Sequence, residues 1–399
     1  CLYDAGDKAG ALTVHQSLIR DFPKSDALPD AYYSVGVLQE ELKQYPQALA
    51  TFQALVQKYP KHPNTSECRL RTGQLYLRLR RFPQAAQTFQ QVAAIRGYEK
   101  ADYALLLQAQ TYQVQKQYPR AGQIYESLRG RFPKSSYLGY AYLQAGKCWY
   151  YAKQHGRAIG DFRQVIAMKA PQADAASYWI GFTMLEQNQV QAAVNELQRA
   201  ITAYRKSTHL PRLTFLRLTG LNRLPNQQKG TIPLLINFAK QYPKHEDAPR
   251  ALYLAALTAY NFNELATAQQ QSESFLSRAD TAKHELRPSV LLLAGESYRN
   301  AAKPDFVKAE AHLQTLVRDY PKYENRPRAL TRLAECLYQR KQFAQANQML
   351  TPILPQLKTP ILKAEAYQLQ GRLATALKNP TTAIKAYQQS IAALPKWQQ

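Results

Sequence analysis

The stretch 121-AGQIYESLRGRFPKSSYLGYAYLQAGKCWYYAKQHGRA-158 holds one full cycle of a pattern that organises the whole chain. It opens on Ala121, reaches Pro133 twelve residues later inside an aromatic-Pro-Lys triplet, passes Gly146, and meets a second alanine, Ala158, twelve residues after that glycine. The triplet returns as FPK at 22 and as YPK at 59, 242 and 320, with LPK at 394, and ten steps from first to last average 37.2 residues. Weaker marks near Ile95, Ala170, Lys206, Arg278 and Gln356 occupy the intervening steps. Alanine stands twelve residues before the proline at Ala11, Ala48, Ala309 and Ala383, and at the matching points Ala85, Ala268 and Ala346. Twelve residues before the alanine stands another small residue, at Gly36, Gly73, Ala109, Gly181, Ala256, Ala334 and Gly371. An aromatic often follows three later, as in Tyr76, Tyr112 and Trp149.

A fixed period of this length is the signature of stacked supersecondary units. Each unit reads as two antiparallel amphipathic helices, with small side chains where the backbones approach and a proline after the second helix, which it cannot continue. No unit can bury its apolar face alone, so neighbours must stack into a curved array. Composition agrees: 45% apolar and 20% charged residues is a folded balance, and Ala, Leu, Gln and Tyr outweigh the β-branched residues. The expected fold is all-α, a right-handed α-α superhelical solenoid of about ten to eleven helix-turn-helix repeats.

These columns resemble the tetratricopeptide repeat, which pairs a small residue, an aromatic three later, an alanine twelve later and a proline twelve after that. The likeness covers nearly the whole chain. The extended connectors, such as YPKHPNTSE and FPKSSYLG, are similar to those of bacterial cell-envelope repeats of the outer-membrane-assembly lipoprotein and Tol-Pal coordinator type. The resemblance implies a single array over residues 1–399. A degenerate repeat falls at about 207–244, with Thr219 and Thr231 in the small columns, and a two-residue insertion at NAAKPDF lengthens one inner turn.

With Ala11 in the alanine column, the opening CLYDAGDKAGA reads as the middle of a first helix, and a truncated first repeat is the expectation. Cys1 then occupies the place of Cys148 and Cys336, two residues past the small column. A lipidated cysteine is the alternative, but it needs a flexible tether where the helical register already runs. All four cysteines read as compact apolar packing, since no CxxC pair or zinc spacing exists.

Seven histidines stand apart without HExxH spacing, and no nucleophile elbow or phosphate-binding glycine loop is present. The expectation is a non-enzyme with no catalytic residue, metal or cofactor. Apolar runs such as PLLINFA and SVLLLAG fall short of the roughly 18 to 20 residues that cross a bilayer. No signal peptide is visible in the opening; were one to lie upstream, the bacterial periplasm or cell envelope is favoured over the cytoplasm.

What remains is surface. Fifty-two basic against 28 acidic residues give a net charge of +24, a field that attracts acidic partners. Two acid-free stretches, 127–160 and 197–245, concentrate the cations, the first interleaved with tyrosines. If first helices line the concave side, the positions three before, one after and five after the small residue face the groove. Those positions, with neighbours at the groove entry and one cation of the second stretch, give Tyr140, Lys147, Tyr151, Tyr178, Phe182, Arg223, Arg250, Tyr253 and Arg328 as partner-binding residues. Tyr33, Leu106, Thr331 and Arg372 are further members of the groove positions. Rigid tyrosines and planar guanidinium groups suit a protein or peptide segment, expected to be acidic. The competing reading is electrostatic binding of a polyanion, whether nucleic acid, an acidic polysaccharide or an anionic membrane surface.

Overall fold

The structure, a computed structural model, describes residues 6–394, so Cys1 and the last triplet's Pro395 and Lys396 lie outside the described residues. Among the described residues there are 21 α-helices and no strand. A leading helix α1 (Lys8–Asp21) is followed by α2 (Leu28–Glu41), α3 (Tyr45–Lys58), α4 (Thr65–Arg78), α5 (Phe82–Ala93), α6 (Ala101–Val114) and α7 (Tyr118–Arg131). Next come α8 (Leu138–Tyr151), α9 (His155–Ala167), α10 (Ala173–Glu186), α11 (Val190–Ala203), α12 (Leu210–Asn222), α13 (Gln228–Gln241) and α14 (Ala248–Asn261). The chain closes with α15 (Leu265–Leu276), α16 (Arg287–Asn300), α17 (Phe306–Asp319), α18 (Arg326–Gln339), α19 (Phe343–Leu350), α20 (Pro360–Ala376) and α21 (Pro380–Ala393). Even-numbered helices are the first, and odd-numbered the second, of each repeat. The fold class is therefore the expected all-α repeat solenoid.

The helices group into two compact units. One runs as far as Gln189 and takes in Thr202–Ser207; the other comprises Val190–Ile201 and the chain from Thr208 onward. Within the first, each helix from α1 to α10 packs on the next in sequence, and within the second the same holds from α12 to α21.

The two small-residue columns explain the hairpins. A Cβ added to Gly36 would collide with the ring of Phe52, and one on Gly73 would stand 2.6 Å from Phe89. On Gly146 it would stand 2.5 Å from Phe162, and on Gly371 2.6 Å from Tyr387. Each partner lies sixteen residues on, four past the alanine column, so it projects from the second helix one turn beyond that alanine. The alanines themselves are sealed: Ala48, Ala85, Ala121, Ala158, Ala268, Ala309 and Ala346 are fully buried, as are Phe52, Phe89, Phe162 and, opposite Ala109, Tyr125. At these four glycine crossings only hydrogen leaves room for the ring.

The α16–α17 hairpin keeps the contact despite its insertion. Residues 301–305 make a five-residue turn, as long as the 223–227 turn of the degenerate repeat, where the other hairpins use three, and the side chain above the small residue becomes Leu313, 2.6 Å from a Cβ on Gly295. The insertion shifts the spacing to eighteen, so Gly295 is a column residue that a fixed count of twelve passes over. The degenerate repeat is also a helical pair, α12 and α13, with Pro233 inside its second helix. Thr231 takes the alanine place and is buried, whereas Thr219 is half-buried beside buried Leu218 and Gly220. Thr231 and Thr258 both donate to Asn222 Oδ1, at 2.7 and 3.0 Å, satisfying hydroxyls that alanines would not bring.

Local chemistry ends each helix. Eight inner turns carry a left-handed residue: Lys43, Arg80, Lys116, Lys153, Asn188, Asn263, Lys341 and Lys378, with φ between 57° and 61°. The next residue's N–H returns to a carbonyl five residues earlier, as in Gln154 to Trp149 at 2.8 Å, the six-to-one closure of a Schellman cap. Cations suit this place because the helix C-terminus is the negative end of its dipole. After the second helices, the aromatic of each triplet is the C-cap, followed by its proline, as at Phe22, Tyr59, Phe132, Tyr242 and Tyr320.

The residue after the lysine then caps the connector. Ser25 and Ser135 accept the N–H two residues on at 3.2 and 3.1 Å. His62, His245 and His284 do the same through Nδ1, at 3.3, 3.2 and 3.1 Å. Burial pushes the thiols of Cys68, Cys148 and Cys336 up to about 12, which leaves them packed and unreactive.

Gly146→Leu is expected to force α8 and α9 apart at a cost of about 1–3 kcal/mol. Lys153→Ala should be nearly silent and Lys153→Gly should stabilise by about 1 kcal/mol by relieving the left-handed residue. Denaturant melts of the three variants rank them. Mass-spectrometric mapping with a thiol reagent at neutral pH should find Cys68, Cys148 and Cys336 unlabelled until the protein unfolds.

Candidate functional site

Successive first helices also touch one another, α8 with α10 in the first unit and α14, α16, α18 and α20 in turn in the second. They therefore crowd toward one side of each unit, and that inner face is where the groove residues were expected.

In the first unit the inner face carries an aromatic basin around Lys147. Tyr178 and Phe182, one turn apart on α10, stack with centroids 6.0 Å apart. Tyr150 lies 5.3 Å from Tyr151, 5.4 Å from Trp179 and 5.6 Å from Phe182. Tyr151, 48% exposed, stacks on Tyr118 at 4.8 Å. The Lys147 ammonium sits 5.5 Å from the Trp179 ring centroid, and among the described residues it has no acidic partner. Burial among these rings holds it below the usual lysine range. Tyr140, farther along α8, accepts a hydrogen bond from Gln110 Nε2 at 3.2 Å. Sequence reasoning passed over Tyr118 and Trp179. The signal for Tyr118 was present in the aromatic-Pro pair that also opens α3 and α5, at Tyr45 and Phe82.

In the second unit Tyr253 and Arg328 line one depression of about 270 Å³ with Tyr260, Glu296 and Tyr323. Arg328 is not available as a free cation. Its Nε and Nη2 donate to the two oxygens of buried Glu296 at 2.7 and 2.8 Å. Arg332 reaches the same carboxylate at 3.4 Å and Glu365 at 2.8 Å. Arg250 pairs with Glu285 at 2.9 Å. Arg250 and Arg223 do not line the depression: Arg223 is exposed at the end of α12.

Other expectations need correction. Leu106 and Thr331 are buried, and the Thr331 hydroxyl donates to the Pro327 carbonyl at 3.0 Å, so neither opens onto a groove. The acid-free stretches are also less naked in space than in sequence. Arg129 pairs with Asp161 at 2.5 Å, and Arg157 with Glu126 at 2.7 Å while its guanidinium lies 3.5 Å from the Trp149 ring. Arg212 pairs with Glu246 and Lys229 with Glu264, at 2.8 and 3.2 Å. Several of these partners stand about one repeat apart in sequence, where stacking makes them neighbours. Among the described residues, His245, Glu246 and Asp247 form the one cluster with metal-ligand proximity, and His245 Nδ1 is already engaged by the Asp247 N–H.

Glu296→Leu is expected to cost about 1–3 kcal/mol, because it takes the carboxylate from Arg328 while Arg332 keeps Glu365. Arg328→Ala should cost clearly less, since Arg332 still neutralises Glu296. Urea unfolding of both variants checks the order.

Tetratricopeptide repeat patterns match residues 28–97, 70–136 and 150–208, and a tetratricopeptide repeat-like domain matches residues 287–399. No curated protein matches the chain. Among solved structures, the apo form of RapI aligns with a TM-score of 0.50 at 12% identity, over 82% of this chain and 97% of that one. The Naa15/Naa10 structure bound to HypK aligns at 0.44 and 12% identity, over 96% of this chain but only 61% of its counterpart. PilF of Pseudomonas aeruginosa aligns at 0.42 and 16% identity, over 56% of this chain and 93% of that one. At these identities the likeness concerns the fold alone. Matches spread along most of the length, on helices whose crossings repeat the same small-residue contact, show that the chain belongs to the tetratricopeptide repeat family of protein-interaction scaffolds.

Proposed function

We propose that this protein is a non-enzymatic scaffold that holds an extended protein segment against the inner face of its first helices, with the aromatic basin of α8 and α10 as principal contact. The observation that carries this reading is Lys147: a partly buried ammonium set over the Trp179 ring, itself packed against Tyr151 and Phe182, without a carboxylate of its own among the described residues. An unpaired, partly buried charge is a cost in the isolated fold. A carboxylate arriving on a partner, flanked by an apolar or aromatic side chain to lie on the rings, turns that cost into attraction.

The acidic character of the partner therefore rests on Lys147. Arg250 and Arg328 already have acidic partners within the chain, and Arg328 forms part of the wall of its depression. The likeness of the extended connectors to cell-envelope repeats supports a setting in bacterial envelope assembly.

Selection of peptides from a random display library by the full chain should enrich Asp or Glu next to an aromatic or proline. Lys147→Met should weaken the selected peptides by about tenfold or more while leaving thermal stability equal or higher, because it removes a desolvated charge. Tyr151→Ala should weaken them with little change in melting. Undiminished binding in Lys147→Met, or enrichment without acidic residues, overturns the reading.

A further inference from the structure

A second concavity lies away from that basin, walled by α3, α4 and α5 in the first unit, with a volume of about 480 Å³. Its size falls in the range of small-molecule sites, about 300–1,000 Å³. Its chemistry is polar and one-signed. Arg69 is the charged lining residue and has no ion-pair partner among the described residues. From Leu42 to Tyr98 the chain has nine lysines and arginines but one acid, Glu67. That acid is engaged elsewhere, by Arg71 at 3.3 Å, Lys100 at 2.9 Å and the Tyr98 hydroxyl at 2.8 Å.

Thr72 supplies the second observation. It lines the concavity, is only 6% exposed, and its hydroxyl has no hydrogen-bond partner. Buried hydroxyls in helices ordinarily donate to the carbonyl one turn back, as Thr111 does to Leu107 at 2.7 Å. An orphan hydroxyl beside an unpaired guanidinium marks a place where a ligand completes the bonding. Three carboxamides, Gln53, Gln57 and Gln91, also line the wall. Each both donates and accepts, the property needed to meet sugar hydroxyls, which do the same. Tyr76, fixed by a hydrogen bond from Gln53 Nε2 at 2.6 Å, offers a ring to the apolar face of a pyranose. A single guanidinium matches one carboxylate, whereas a doubly charged phosphate calls for more cations.

We propose that this concavity binds an acidic sugar, a hexuronic acid whose carboxylate meets Arg69 and whose hydroxyls meet Thr72 and the glutamine amides. A free oligosaccharide and a polysaccharide chain both carry such a uronic acid, and the two sources share this recognition.

Isothermal titration of the full chain with a trimer of galacturonic acid tests it, with maltotriose as neutral control, polygalacturonate as the polymeric source and inorganic phosphate as competitor. Saturable binding of the trimer, none of maltotriose, and no displacement by equimolar phosphate are expected. Arg69→Gln should weaken the trimer by about tenfold or more. Thr72→Val should weaken it by about three- to tenfold with melting unchanged or raised, because an isosteric methyl replaces an unsatisfied hydroxyl. Retained binding by polygalacturonate alongside the trimer assigns the chain form as a second source. The proposal fails if the trimer does not saturate, if maltotriose binds equally, if phosphate displaces the trimer, if Arg69→Gln binds normally, or if polygalacturonate binds and the trimer does not, which marks only the general positive field.

Discussion

Everything in this structure depends on how closely two helices of one repeat can approach. At Gly36, Gly73, Gly146 and Gly371 the first helix presents bare backbone, and the second helix fills the space with a ring. A Cβ there has nowhere to go, so the interhelical distance is set by hydrogen against an aromatic face. Dense packing leaves no slack with which to absorb an error. The other hairpins keep a small residue at the same place, with Leu313 instead of a ring above Gly295, and the stacking of hairpins brings residues one period apart into register. The inner face, its depressions and the cross-repeat ion pairs all inherit their geometry from that one contact.

Two situations of charge then separate structure from function. Where stacking sets an acid opposite a base, as with Arg328 and Glu296 or Arg299 and Glu335, the charge is spent inside the protein. A net excess of +24 leaves many cations unmatched, but most of these lie in water and cost nothing. Lys147 and Arg69 differ because unmatched charge coincides with partial burial or concavity, on opposite sorts of surface: one aromatic, the other rich in amides.

Much of the fold was legible in the sequence, because small residues at a fixed spacing are a direct imprint of backbone proximity. The ends of the second helices were legible in the triplet proline, whereas the left-handed inner turns and the serine and histidine caps became visible only in the structure. Gly295 escaped because two inserted residues broke the count that located its fellows. Leu106 and Thr331 were misjudged since a groove-facing position is exposed only where the neighbouring first helix leaves room. The charge pairing was invisible because Arg212 and Glu246, or Arg129 and Asp161, are far apart along the chain and meet only through stacking. The membership of the aromatic basin needed three dimensions for Trp179, while Tyr118 was announced by a recurring aromatic-Pro pair.

The caps carry one more implication. Eight inner turns are closed by backbone bonds spanning six residues, and triplet-bearing connectors by a serine or histidine reaching two positions ahead. No such closure borrows an atom from a distant repeat. The chain is thus modular at the level of its punctuation: excising or duplicating one whole period leaves every remaining full stop intact, whereas an edit of any other length severs a helix from its own ending. Growth of the array by copying units is accordingly the route of least structural resistance.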